Sequence, residues 1–223
     1  MTVVSLKLAE KTDERGLFRK IEGAVFRIAL SDGSLFSFKS DYLFCECPVE
    51  SVYIPGRELD SVEVEALRFA AACYRAERAV LRLTARAEQH SFGVVRKLGS
   101  RGYSAPCVRA VVAHLSALGV INDCRYASRW IQSRLSRSSG ESPRTLSESL
   151  RGRGLSRSAV QEALAAVLDE EAEASLLHSY LEKNRRRPSP RFRAAGEGRL
   201  KQSLRYEGFS PDVLERFQEE GLL

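Results

Sequence analysis

Apolar runs are short throughout this 223-residue chain, and none approaches the ~20 residues that a membrane-spanning helix needs. Residues 1–16 carry too many charges for the apolar core of a secretory signal. Histidine is scarce: His90, His114 and His178 stand in unrelated contexts, with no carboxylate or cysteine at a triad or metal spacing. The five cysteines (Cys45, Cys47, Cys73, Cys107 and Cys124) are odd in number and lack a paired zinc spacing. Cys45-x-Cys47 by itself is a weak metal or redox signal, set against small buried side chains. No glycine-rich phosphate loop occurs, and Glu170, Glu171 and Glu173 fall at a helix start, where acidic groups suit the helix dipole. No catalytic set emerges, so an enzyme, a metal and a cofactor are not expected. Reduced cysteines without a signal or span point to the cytoplasm.

Charge, by contrast, is abundant and unevenly placed. The whole chain is +6, yet residues 75–157 hold 16 Lys+Arg against 5 Asp+Glu, a net +11. Residues 1–74 are net −3 and residues 158–223 net −2. A basic middle between mildly acidic ends implies an acidic partner surface, a phosphate backbone, or both.

A local pattern recurs three times. Leu98, Leu150 and Leu204 are each followed four residues later by glycine, then by an apolar residue and serine: Gly102-Tyr103-Ser104, Gly154-Leu155-Ser156 and Gly208-Phe209-Ser210. Each copy reads as a helix stop joined to a helix start. Glycine takes the left-handed position beyond the helix end, and the apolar residue packs back on the leucine. Serine caps the next helix, with Pro106 and Pro211 in first turns and Val108, Val160 and Leu214 placed to complete a hydrophobic staple. The lower two-thirds of the chain therefore reads as a helical repeat array.

The first 40 residues differ. Residues 3–8 and 24–30 have strand composition, and Ser31-Asp32-Gly33-Ser34 is a turn signal before residues 35–38. These predict a small β-hairpin with a third strand, then a short helix from about Asp41. Pro55-Gly56 breaks the chain before a helix starting near Asp60, on which the sheet should pack. Three-helix units follow at 73–89, 92–101 and 105–118; at 123–138, 144–153 and 157–168; and at 170–185, 193–207 and 211–219. Linker-like stretches lie at 136–142 and 188–190. The segments are thus 1–60, 61–121, 122–168 and 169–223, in a mainly α, elongated array whose neighbouring units share apolar faces.

Several arginines are ordered by this reading. At 100° per residue, Arg75, Arg78, Arg82 and Arg86 fall on one flank of a helix as a basic ridge, with Glu77 and Glu88 on the opposite flank. A solvated helix face is the plainer account of the same pattern. Arg125 and Arg129 lie one turn apart, away from the stripe of Ala127, Trp130 and Ile131, and are candidate contact residues. Arg134 falls in that stripe, which favours a packed stem and a paired guanidinium. Trp130 reads as core rather than a base-stacking platform, and Asn122-Asp123 as the helix cap. The third helices offer few groups for base edges, chiefly Arg109 and Arg157, so contact with phosphate or protein fits better than operator reading.

The run Gly119-Val120-Ile121-Asn122-Asp123-Cys124-Arg125-Tyr126-Ala127-Ser128-Arg129-Trp130-Ile131-Gln132-Ser133-Arg134 resembles the signature of RecX regulatory proteins. Flanking matches are Arg96-Lys97-Leu98 with Arg101-Gly102-Tyr103, Pro143 and Leu150 with Arg153-Gly154-Leu155, and Leu204 with Gly208-Phe209. The resemblance covers about 75–217, and the N-terminal segment looks like the extension of longer members. Two departures stand out. Gly93 replaces the capping-box glutamate after His90-Ser91, leaving the cap open between those two residues. Ser139-Gly140-Glu141-Ser142-Pro143 replaces a Gly-x-Gly-Pro approach.

What the resemblance implies is a non-enzymatic modulator of the RecA recombinase, built of three-helix repeats. It would bind the RecA–single-stranded DNA filament as a monomer and restrain strand exchange, ATP turnover and coprotease activity in DNA repair and the SOS response. Single-stranded DNA would be met weakly or through the filament. Arg75, Arg78, Arg82, Arg86, Arg125 and Arg129 are the expected partner-binding residues; Gly102, Asp123, Trp130, Arg134, Gly154 and Gly208 are the structural signature. The alternative is a helical repeat protein that binds nucleic acid without RecA.

Overall fold

A computed structural model describes residues 1–9, 24–43, 48–137, 140–189, 192–193 and 199–223. Cys45 and Cys47 lie outside them, as do parts of the two linker-like stretches. The chain divides into two compact units, Met1–Ile121 and Asn122–Leu223.

Unit 1 joins a three-stranded antiparallel sheet to three long helices. The strands are β1 (Val3–Leu8), β2 (Val25–Leu30) and β3 (Leu35–Lys39), in the order β1-β2-β3. Alternation decides the buried face: Phe26, Ile28 and Leu30 of the central strand point inward, while Arg27 is exposed. The β2–β3 turn is closed at Gly33 (φ 85°), and the Asp32 carboxylate accepts from the Ser34 amide and hydroxyl at 3.0 and 2.9 Å. Those bonds to the charged form hold the Asp32 carboxyl below its ordinary value. The helix expected from Asp41 is a single 3-10 turn, Ser40–Tyr42, and a short helix α1 follows at Val49–Val52.

Asp60 then starts α2 (Ser61–Thr84) with a full capping box: its side chain accepts from the Glu63 amide, and Glu63 reaches back to the Asp60 amide. This one helix replaces the lead-in and the separate 73–89 helix of the sequence reading. Ala70, Ala71, Cys73, Ala76 and Ala79 are buried along it. Small side chains at these positions admit both β3 and α4 (Ala105–Ala117) against the helix, with α3 (Ser91–Gly99) packed on α4. Phe38, Ile28, Leu67, Leu98, Val111 and Leu115 belong to the common core.

Unit 2 comprises α5 (Asp123–Leu135), α6 (Pro143–Gly152), α7 (Arg157–Val167), α8 (Glu170–Arg186), α9 (Leu200–Tyr206) and α10 (Pro211–Glu219). The predicted start of the 193–207 helix falls largely outside the described residues. The second and third three-helix sets share one core, in which Ile131, Leu146 and Leu150 join Leu177, Leu204 and Leu214.

The three repeated stops form as expected. Gly102, Gly154 and Gly208 have φ of 81, 90 and 92°. The amides of Tyr103, Leu155 and Phe209 donate to the carbonyls of Leu98, Leu150 and Leu204 at 3.3, 3.4 and 3.2 Å. This is the six-to-one bond of a Schellman motif, and it puts each apolar residue back over its leucine. Two further copies went unread: Val120 donates to Leu115 past Gly119, and Leu222 to Phe217 past Gly221. Gly154→Val will lower stability by about 1 kcal/mol or more, because a β-branched residue is poorly accommodated at positive φ. Urea titration followed by circular dichroism checks this.

The starts are less uniform. Ser156 and Ser210 accept from the amides of Ala159 and Val213, but the Ser104 side chain makes no capping bond. Pro106 lies at the second helical position of α4, where it has no N–H to offer, so one of the two usual donors to a cap is missing. At α3 the cap is His90, whose Nδ1 accepts from the Gly93 amide at 3.2 Å. A Cβ at position 93 would meet His90 Nε2 at 2.7 Å. Glycine there leaves room for an imidazole cap, which accounts for the missing glutamate.

Candidate partner-binding surface

On α2, Arg75, Arg78 and Arg82 are exposed and follow the helical spacing that defines a ridge. Arg86 is exposed too, but it lies beyond the last helical residue, Thr84. The four-residue ridge is therefore three helical arginines and one in the following turn. There the chain leaves the helix: Gln89 is buried, donates to the Ala87 carbonyl at 2.8 Å and accepts from Lys97 Nζ at 2.6 Å.

Glu77 lies away from the arginine ridge, as its helical angle places it, but it is buried. It is 1% exposed and accepts from Lys39 Nζ at 2.5 Å and from the Tyr42 hydroxyl at 2.6 Å. Glu77 continues the buried line of Cys73 and Val80 at helical spacing, so a carboxylate on the apolar face was the available signal. Its partner, 38 residues earlier in the chain, was not readable. Burial, followed by the bond to Glu77, pushes the Tyr42 phenol far above its ordinary value, so it remains a donor.

In unit 2, Asn122 caps α5 by accepting from the Arg125 amide at 2.8 Å, and Asp123 supplies the acidic first turn. Arg129 is exposed and Arg125 half-buried, both on this first half of α5. Arg134 is half-buried, as its place near the apolar stripe required. Its guanidinium pairs with Glu141 at 3.7 Å and lies 4.9 Å from the centre of the Trp130 ring. Trp130 is only partly buried against the core and also carries Arg153, at 5.3 Å. Arg153 was missed because it comes from the end of α6, 23 positions from the tryptophan it covers. The ridge belongs to unit 1, and Arg125, Arg129, Trp130 and Arg134 to unit 2.

The remaining chemistry-bearing side chains are dispersed. His90 is the helix cap, His178 is exposed, and the His114 ring packs edge-on to Tyr42 at 5.3 Å. Cys73 and Cys107 are buried, which raises both thiols above their ordinary value and keeps them protonated. Among the described residues no group of three or more His, Cys, Asp or Glu is placed to hold a metal ion. No described helix is long and apolar enough to cross a membrane.

Known proteins place this arrangement. No family model matches the chain. It is 32% identical over 151 residues to the regulatory protein RecX of Treponema pallidum (strain Nichols), a match covering 68% of this chain and 88% of that protein. It is 34% identical over 121 residues to the regulatory protein RecX of Mycobacterium avium (strain 104), covering 54% and 61%. A crystal structure of a regulatory protein RecX shares the fold over 98% of both chains, at a TM-score of 0.61 and 19% identity. That match takes in the N-terminal sheet as well as the helices. With its repeated helix stops, its capped α5 and a relative matched over nearly nine-tenths of its length, the chain belongs to the RecX family of regulatory proteins.

Proposed function

We propose that this protein regulates the RecA recombinase by binding the RecA–single-stranded DNA filament, and that it restrains strand exchange, ATP hydrolysis and coprotease activity. Membership of the RecX family carries this reading. The physical support is the +11 segment at 75–157, whose exposed arginines suit the acidic surfaces and phosphates of a nucleoprotein filament. Tandem three-helix sets, at 61–121, 122–168 and 169–223, would let one monomer make several weak contacts along a repeating partner. Such contacts add through effective concentration without a deep pocket. The action would be non-enzymatic and cytoplasmic. RecA-dependent ATP hydrolysis on single-stranded DNA tests it: added protein should lower turnover, and unchanged turnover at saturating protein would sink the reading.

Arg125 and Arg129 are the proposed contact residues of unit 2, with Arg75, Arg78, Arg82 and Arg86 those of unit 1. Reversing charge at Arg125→Glu with Arg129→Glu will weaken filament affinity while moving stability by about 0.5 kcal/mol at each site. Filament co-sedimentation at several salt concentrations checks it, since a charge-driven contact weakens as salt rises. Wild-type affinity in the double variant would move the contact surface elsewhere.

A further inference from the structure

The two faces of the N-terminal sheet are built differently. Phe26, Ile28 and Leu30 face the core, so their neighbours Arg27 and Ala29 face the other way. Strand register fixes what lies beside those two. Lys7 pairs with Arg27, and Arg27 in turn with Ser37. Two residues along, Ser5 pairs with Ala29, and Ala29 with Leu35. Paired residues share a face, so the outer face carries a basic row and, about 7 Å away, an apolar one. Lys7 and Arg27 are exposed, and Leu35 is 79% exposed. Val4, the extra residue where the β1 register shifts beside Ser5, is 58% exposed. The three strands hold no acidic residue, and among the described residues neither Lys7 nor Arg27 is in an ion pair.

Like charges directly opposite on neighbouring strands repel, with their Cβ atoms about 5 Å apart. Lysine on an edge strand is a common guard against unwanted strand pairing, which accounts for Lys7. It does not account for Arg27, which lies on the central strand. We propose that this sheet face docks an acidic polypeptide segment of a partner protein, with carboxylates over Lys7 and Arg27 and an apolar side chain over Ala29 and Leu35. A carboxylate set between the two cations turns their repulsion into attraction. In an extended segment, alternate side chains share a face at the spacing of the two rows. The fitting pattern is therefore an acidic residue followed two positions later by an apolar one. A phosphate backbone would satisfy the cations but leave Leu35 in water. An anionic membrane surface calls for a larger basic cluster, about four to eight residues. This surface goes beyond the filament reading and needs neither recombinase nor DNA, so the two fail separately.

A short labelled peptide, with glutamate and leucine recurring at two-residue spacing between serines, tests it by fluorescence anisotropy on the full-length protein at low salt. Replacing the peptide's glutamates by glutamine should weaken binding about fivefold or more, and replacing its leucines by serine about threefold. Lys7→Gln combined with Arg27→Gln should erase the first difference, and Leu35→Ser the second. The α2 arginines stay in place in both variants, so general attraction to them does not produce this pattern. Removing an exposed, repelling pair should also leave the urea midpoint of the double variant unchanged or higher. Equal binding of the three peptides, or wild-type peptide affinity in the double variant, would overturn the proposal. A lower urea midpoint in the double variant would do the same, because the two charges would then serve the fold. So would a double variant that loses affinity for oligothymidylate or phosphatidylserine vesicles but keeps it for the acidic peptide.

Discussion

Glu77→Ala will destabilise unit 1 by about 3–5 kcal/mol, the usual cost of leaving one member of a buried ion pair without its partner. Lys39 and Glu77 are 5% and 1% exposed in their side chains, so water cannot replace the lost carboxylate. The Tyr42 hydroxyl loses its acceptor at the same time. Lys39 ends β3, Tyr42 lies in the 3-10 turn after it, and Glu77 sits about two-thirds of the way along α2, so one carboxylate joins the sheet to the helix. Lys39→Met with Glu77→Leu should recover most of the loss, because no charge is then buried alone. Hydrogen exchange resolves the outcome by region: protection should fall in β2, β3 and α2 of the single variant and largely return in the double one. A single variant within about 1 kcal/mol of wild type would mean that the pair contributes little.

Gly140→Ala should be nearly as costly, in unit 2. Gly140 has φ of 55°, and a Cβ there would lie 2.8 Å from the Ser179 carbonyl oxygen and 2.9 Å from the Lys183 side chain. The lysine can swing away, but the carbonyl belongs to the backbone of α8 and cannot. Left-handed strain and overpacking together give about 2–4 kcal/mol. Gly102→Ala is the control, since its added Cβ meets nothing within 4 Å and only the strain of positive φ remains. Denaturant midpoints read from Trp130 fluorescence should shift clearly for Gly140→Ala. A loss no greater than that of Gly102→Ala, measured by circular dichroism, would show that α8 yields to the new methyl group.

Both effects are invisible to a reading that moves along the chain. The helix stops at Gly102, Gly154 and Gly208 were legible because every interaction in a Schellman motif falls within six residues. The Asn122, Ser156 and Ser210 caps were legible for the same reason: each bonds an amide three residues away. Ser104 shows the limit of that rule, since one proline displaced by a single position changes which donors exist. Gly140 reads as a departure from the family pattern, but its need for glycine comes from Ser179, nearly forty residues on.

The candidate surface divides along the same line. Helical angle anticipated the exposure of Arg129 and the packing of Arg134 on Trp130, four residues away, whereas Arg125 is half-buried like Arg134 despite its outward angle. Arg153 was not anticipated, since it meets Trp130 only after separate helices come together. The burial of Glu77 was not legible because helical angle fixes a direction around the axis, while a carboxylate's tolerance of the interior depends on a lysine brought from another element. By itself the sequence determined the helical repeat class, the positions of its stops, most of its starts and the basic middle, all consequences of short-range backbone bonding and charge count. Tertiary structure alone decided which charges are buried, which aromatic rings carry guanidinium groups and which glycine faces another backbone. Those are contacts between distant segments, and their energies depend on desolvation and packing that no local pattern encodes.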